Sequence, residues 1–436
     1  MNQLMLDKIK TLKNTVAAKA SRNKNDDDKY LVALDIGTEF VKALIGRVTD
    51  DGIDIVGVGR THQELSDMQA GAIADIQSVV ANCDDALSQA EKQAGVSTKS
   101  AVIGIAGELV KGTTTTVHCN RKNPEKELDI AEVEKIIGLV QGRARERAKQ
   151  QLAWELGGKD VEIRLVNSAL VNIEIDGYPV TSPVGFKGKE VVVQLYTAFA
   201  PMIHIGALER TAKELDLDLL AVAAEPFAVA RSVIGDDSNA SMSAILMDVG
   251  GGTTDIAVIN DGGVQGTKMF GIGGRAYTRS IEKDLGVSFA SAEELKLGLS
   301  THKVAESKRP VIEKSLQKTL DVWTAGVELA LGEFDQLDHL PRRILLCGGG
   351  SSLDMLMHQL ESSNWYADLP FTRKPVVQHI KPSHVVGIDD HTGTVTDHTF
   401  ITAMGLLRVG LDTMQQDGGI KDDGSFRQKI DKILRV

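Results

Sequence analysis

Residues 31–46 read LVALDIGTEFVKALIG, and residues 245–259 read ILMDVGGGTTDIAVI. Both follow one plan: an apolar strand, an aspartate, one residue, a glycine, small or hydroxyl residues, then a second apolar strand. Short apolar runs separated by Asp-x-Gly are the pattern of a strand, a tight turn and a returning strand. The leading aspartates, Asp35 and Asp248, stand 213 positions apart in a chain of 436 residues. A motif repeated at half the chain length predicts two homologous α/β domains facing each other across a cleft.

Each turn is chemically suited to a phosphate. The glycines (Gly37 in the first copy; Gly250, Gly251 and Gly252 in the second) let backbone N–H groups approach a ligand's oxygens. Thr38 in the first copy, and Thr253 with Thr254 in the second, add hydroxyl donors. Asp35 and Asp248, at strand ends, are placed to hold Mg²⁺ through water, because this ion sheds its hydration shell reluctantly. Lys42 returns along the second strand and sets a cation beside the β/γ-phosphates of ATP. One Asp-x-Gly alone serves equally well as a plain hairpin turn. Two copies between apolar strands, one of them G-G-G-T-T-D, point to a bound nucleotide.

Three further segments are consistent with that cleft. Cys347-Gly348-Gly349-Gly350-Ser351 joins a buried strand to a helix and suits close approach to a nucleoside, although such junctions are as often structural. Glu293 and Lys296 lie one turn apart on a predicted helix and can hold ribose hydroxyls; the competing reading is an exposed ion pair. Glu225-Pro226 ends a strand and opens a helix at Phe227. A carboxylate there can orient the water that attacks a γ-phosphate, while a bare Glu-Pro is otherwise a helix start.

The remaining sequence fills in a multi-domain globular chain, 42% hydrophobic and 25% charged. A net charge of −11 argues against general nucleic-acid binding. Cys83, Cys119 and Cys347 lie far apart, which suits a reducing compartment and forms neither a zinc site nor a disulfide framework. No apolar run approaches the roughly 20 residues of a membrane span. The lysine-bearing N-terminus lacks a signal peptide's apolar core, so a cytoplasmic location is expected. Helices are predicted over 75–94, 130–147, 203–215, 227–234 and 400–414, with another starting at Ser352 and a helix-rich stretch over 275–337. Residues 108–199 differ in texture, being Thr-rich and charged, and read as a separate α+β insertion.

Taken together, the motifs resemble the actin, heat-shock-chaperone and sugar-kinase superfamily over residues 30–414. Its five elements occur in order: first phosphate loop (35–42), first connecting helix (225–230), second phosphate loop (248–255), adenosine motif (348–350) and second connecting helix (403–405). The resemblance implies an α/β, actin-like fold of two duplicated ribonuclease-H-like domains around a nucleotide cleft, with an inserted small α+β subdomain. The insertion precedes the first connecting helix and carries Ser182-Pro183-Val184-Gly185 before a long strand, similar to the bacterial cell-division family FtsA. The stretch IGGRAYTRSIEKDLGVSFASAEELK, which contains Gly273, also follows that family's pattern and implies a nucleotide contact there. Ser182 replaces the family's usual Asn, and an N-terminal helix is atypical, so a divergent member is expected.

The implied organisation is an N-terminal helix and linker (1–29), domain I (30–107 and 200–240), the FtsA-type subdomain (108–199), domain II (241–400), a returning connecting helix (401–414), and a linker with a terminal membrane-targeting segment (415–436). In that segment Phe426, Ile430, Ile433 and Leu434 share one helical face, and Arg427, Lys429, Lys432 and Arg435 against Asp431 leave a net charge of +3. A basic amphipathic helix suits an anionic membrane surface. Met5, Ile9, Leu12 and Val16 form a second such face at the N-terminus. The resemblance implies head-to-tail self-assembly, tethering of FtsZ and contact with other divisome proteins, at the inner face of the cell membrane, with slow ATP hydrolysis at most. Two rivals share the superfamily: a PilM-like pilus-assembly protein and a small-molecule kinase.

Overall fold

The computed structural model describes residues 29–155, 157–234, 242–301 and 303–417. Both terminal amphipathic segments, including Phe426, Ile430, Ile433 and Leu434, lie outside the described residues.

Along the first half run β1 (Tyr30–Ile36), β2 (Phe40–Val48), β3 (Ile53–His62), the short β4 (Met68–Gln69) and β5 (Ala72–Ile73), α1 (Ile76–Ala94), β6 (Ser100–Ile105), β7 (Lys111–Asn120), α2 (Ile130–Glu155), β8 (Ile163–Ile175), β9 (Tyr178–Pro179), β10 (Glu190–Pro201), α3 (Met202–Glu214), β11 (Asp218–Ala224) and α4 (Glu225–Ile234). The second half holds β12 (Ala244–Val249), β13 (Thr254–Asn260), β14 (Gly263–Phe270), α5 (Gly274–Leu285), α6 (Phe289–Ser300), α7 (Arg309–Gly332), β15 (Arg343–Cys347), α8 (Asp354–Ser362), β16 (Val376–His379), β17 (Ile388–Asp390) and α9 (Ile401–Asp417).

The internal repeat is visible in the sheets. In one, β1-β2-β3 form an antiparallel meander, β6 and β11 extend it in parallel beside β1, and β17 closes the other edge. In the other, β12-β13-β14 form the equivalent meander, and β15 and β16 add parallel strands beside β12. Two lobes built on one plan follow from two copies of one sequence pattern.

Helices α9 and α4 connect the lobes. They pack on each other, α9 against the first sheet and α4 against the second. Helix α1 covers the opposite face of β2 and β3, so the central strands are buried on both sides and read as continuous apolar runs. The contact between the two helices needs glycine: a Cβ on Gly405 would lie 2.3 Å from the Ala228 carbonyl oxygen. Local signals set the helix ends. Asp75 caps α1 by accepting from the backbone N–H groups of Gln77 and Ser78, and Gly95 ends it in a left-handed conformation at φ 69°.

Three elements differ from the sequence reading. Helix α2 runs to Glu155, eight residues beyond the expected Arg147, because Ala144, Ala148 and Leu152 continue its buried face. The helix expected from Ser352 begins at Asp354, after a 3₁₀ turn over Gly349–Ser352. Residues 108–199 hold a core of their own, with Ile137, Val140, Val191, Val193 and Leu195 fully buried. Their strands nevertheless continue the second lobe's sheet through one register pair, Thr113 with Gly266, making nine strands in all among the described residues. An open strand edge offers unpaired N–H and C=O groups, and β7 takes up part of that of β14.

Candidate functional site

The turns after β1 and β12 face each other where the lobes meet. In the first meander Asp35 lies opposite Lys42; in the second Asp248 lies opposite Asp255. Equivalent positions therefore carry Asp/Lys in one lobe and Asp/Asp in the other. Lys42 Nζ donates to Asp35 Oδ2 at 2.8 Å, with the two side chains 13% and 5% exposed. Asp248 Oδ2 accepts from Thr402 Oγ1 at 2.5 Å, at the start of α9. Asp255 is buried, and its Oδ1 has no hydrogen-bond partner among the described residues.

Carboxylates outnumber cations on this floor. Burial drives the Glu225 carboxyl well above the usual range, and Asp35, Asp255 and Asp248 add to the rise against the opposing pull of Lys42. Burial also raises Asp255, helped by Asp248 and Glu108, and raises Asp248 against the opposing effects of Thr402 and Lys42. Burial works against the Lys42 ammonium, yet Asp35 and Asp248 hold its pKa above the ordinary lysine value. Protonation of Glu225, Asp248 and Asp255 is eased and the charge of Lys42 is kept until further positive charge enters.

A cleft of about 700 Å³ lies above this floor. Its walls include Asp35, Gly37, Thr38, Lys42, Glu225, Asp248, Gly250, Gly251, Thr253, Glu293, Lys296, Gly348, Gly349 and Gly350. Gly348 has φ +80°, and a Cβ there would lie 2.0 Å from Asp248 Oδ1, so only glycine lets this loop sit on the second turn. Gly252 packs opposite Thr38 across the cleft. Gly273 precedes α5 behind the second turn, where the Gly274 N–H donates to the Gly250 carbonyl at 2.9 Å.

Glu293 and Lys296 are paired at 2.8 Å, as the competing reading had it, but they are neither exposed nor alone. Thr278 Oγ1 hydrogen-bonds Glu293, and Lys296 also donates to the Gly274 carbonyl at 3.1 Å. Glu225 starts α4 itself, two residues earlier than the helix start expected at Phe227. Gly273, buried behind the second turn, does not line the cleft, and a further expected contact is also corrected. Thr254 is fully buried, its hydroxyl donates to the Ile272 carbonyl and accepts from Trp323 Nε1, both at 2.8 Å, and it does not line the cleft. The alternation of a strand turns Thr254 away when its neighbour Thr253 faces the cleft.

Several cleft residues escaped the sequence reading. Asp255 is the register mate that Lys42 occupies in the other copy, so aligning the repeats residue by residue finds it. Thr402 and Asp397 reach the cleft from the far end of the chain with no local signal. Glu39 and Arg275 join the two turns directly, with Arg275 Nε donating to Glu39 Oε2 at 2.7 Å. Glu108, in the turn Gly107–Leu109, has both carboxyl oxygens buried with no close hydrogen-bond partner among the described residues, and burial pushes it up to about 7 against the opposing effect of the nearby Thr253 hydroxyl. It lines a separate polar cavity of about 1020 Å³ between the inserted unit and the second lobe.

Duplicated five-stranded lobes, two connecting helices between them and paired Asp-x-Gly turns at the cleft define an actin-like fold. A solved structure titled "PilM-PilN type IV pilus biogenesis complex" matches over 87% of this chain and 98% of that chain, with a TM-score of 0.62 at 16% identity. That likeness shows the fold alone. The family model described as "Cell division protein FtsA" matches residues 245–405. Curated proteins named "Cell division protein FtsA" align along most of the chain. The one from Pseudomonas aeruginosa is 26% identical over 411 residues, covering 89% of this chain and 91% of that protein. The one from Neisseria meningitidis is 25% identical, covering 87% and 89%. Along most of its length the chain is similar to these FtsA cell-division proteins, from which it has diverged widely in sequence.

Proposed function

We propose that this protein is a divergent member of the FtsA family that binds ATP with Mg²⁺ in the cleft and uses the nucleotide to control head-to-tail assembly. The filament tethers FtsZ, with other division proteins, to the inner face of the cell membrane. The observation that carries the nucleotide reading is the pair of turns at matching register over a floor where Asp35, Asp248, Asp255 and Glu225 surround the one ammonium of Lys42.

That surplus of negative charge fits a divalent cation, and the unpartnered Asp255 Oδ1 fits a polar ligand shell. Among the described residues no three His, Cys, Asp or Glu side chains converge to hold a metal directly. Asp35 and Asp248 would therefore act through water, as Mg²⁺ prefers. When bound, the ion offsets phosphate charge. The backbone of the two turns and the Thr38 and Thr253 hydroxyls donate to phosphate oxygens, Lys42 supplies a cation, and Glu293 with Lys296 faces the ribose. Glu225 is the candidate for orienting an attacking water. Its environment favours the protonated form, which suits slow turnover better than rapid catalysis.

The subdomain 108–199, set between the two parts of domain I, has its own core and exposes Tyr178, Val184 and Phe186, which suits a contact between neighbouring subunits. Among the described residues no helix is long and apolar enough to cross a membrane. Attachment through the basic segment 424–436 is peripheral, and a short amphipathic sequence of this kind gains from the avidity of a filament. Electron microscopy of the full chain on an anionic lipid monolayer tests the whole reading: filaments should form with Mg-ATP and disappear when 424–436 are deleted. Lipid binding that survives deletion of both termini counts against it, and phosphoryl transfer to a small metabolite replaces it with a kinase.

A further inference from the structure

The two phosphate turns are tied together by a side chain that belongs to neither copy of the repeat. Arg275 is the second residue of α5, and its backbone N–H donates to the Gly251 carbonyl at 2.8 Å, which fixes it to the second turn. From there its side chain crosses to the other lobe. Nε donates to Glu39 Oε2 and an Nη2 N–H to the Thr38 carbonyl oxygen, both at 2.7 Å. The remaining Glu39 oxygen lies 2.9 Å from His62 Nε2, which anchors the carboxylate on β3. The Arg275 and Glu39 side chains are 13% and 23% exposed, so the pair is largely shielded from solvent.

We propose that Arg275 is a nucleotide-retaining residue: its bridge to Glu39 and Thr38 must open before a nucleoside triphosphate held between the turns can leave. The proposal rests on the nucleotide reading above and adds the residue that sets residence time. The bridge spans a close approach of the two turns, since a Cβ on Gly251 would lie 3.1 Å from the Glu39 Cβ. A charge-assisted fork that also grips a backbone carbonyl holds one geometry. Opening it leaves the Arg275 guanidinium partly desolvated and without its carboxylate, which makes opening slow. Two of the five guanidinium N–H donors are engaged, so others remain for a phosphate oxygen in the cleft that Arg275 lines. A gate of this kind slows entry and exit alike, and the dissociation rate is the one read directly in a chase.

The test uses the full chain loaded with Mg²⁺ and a fluorescent ATP analogue, then chased with excess unlabelled ATP. Arg275→Ala should speed release about tenfold, the order expected for losing one charge-assisted pair. Glu39→Gln, which keeps the shape and removes the charge, should speed it by a smaller factor. The reversed pair, Glu39→Arg with Arg275→Glu, should release more slowly than Arg275→Ala alone, a rescue that a merely structural role does not predict. Circular dichroism confirms that each variant is folded, and Glu39→Gln carries the test if Arg275→Ala is not. Release within twofold of wild type in the folded variants overturns the bridge and leaves the nucleotide reading standing. A wild-type chain that takes up no nucleotide overturns both.

Discussion

Replacing Glu108 by Gln should stabilise the protein, and the gain should grow with pH. Both Glu108 carboxyl oxygens are buried with no close hydrogen-bond partner among the described residues, and burial lifts the group from 4.5 to about 7 against the opposing effect of the Thr253 hydroxyl. A carboxyl whose folded pKa lies above its unfolded value favours folding only while protonated. That contribution is complete below about pH 4.5 and is lost as pH rises to about 7. A rise of that size corresponds to roughly 3 kcal/mol. Solvent in the adjoining polar cavity screens part of it, which leaves roughly 1–2 kcal/mol. For a chain of this length that amounts to about 1–3 °C in melting temperature. The assay is thermal unfolding of wild type and Glu108→Gln at pH 5, 6, 7 and 8. Any fixed cost of burying the amide shifts all four differences equally, so the slope is what is read. A difference that is flat from pH 5 to 8, or that falls, refutes the electrostatic account of this site.

Lys42→Ala removes the single ammonium paired with buried Asp35; nucleotide binding, followed by fluorescence titration, should be lost, and the protein should lose about 3 kcal/mol of stability. Thr254→Val should destabilise by about 1–3 kcal/mol, because it strands the buried Trp323 N–H and the Ile272 carbonyl, while leaving nucleotide affinity within about twofold. An affinity loss as large as that of Lys42→Ala would return Thr254 to the phosphate site.

The repeat was legible because it is written in local chemistry. An apolar run ending in Asp-x-Gly forms the same strand and turn wherever it occurs, so two copies were enough to predict two lobes and a cleft. The Gly348–Gly350 loop and the Glu293/Lys296 pair were legible as short-range patterns for the same reason. The length of α2 was not, since the charged run Arg143–Lys149 hides the spacing of Ala144, Ala148 and Leu152. The fate of Thr254 was not legible either. Its neighbour Thr253 is chemically identical, and only the pleat and the packing of Trp323 decide which hydroxyl faces the cleft.

By itself the sequence determined the chemistry each turn presents, because glycines, hydroxyls and carboxylates at fixed spacing along one strand keep that spacing in the fold. Tertiary structure alone decided the electrostatics and the closure of the site. The pKa values of Glu225 and Asp255 depend on carboxylates drawn from both lobes, and the Arg275–Glu39 bridge joins residues more than half the chain apart. Charge interaction and desolvation depend on distance in space and on burial, and the linear order of residues specifies neither.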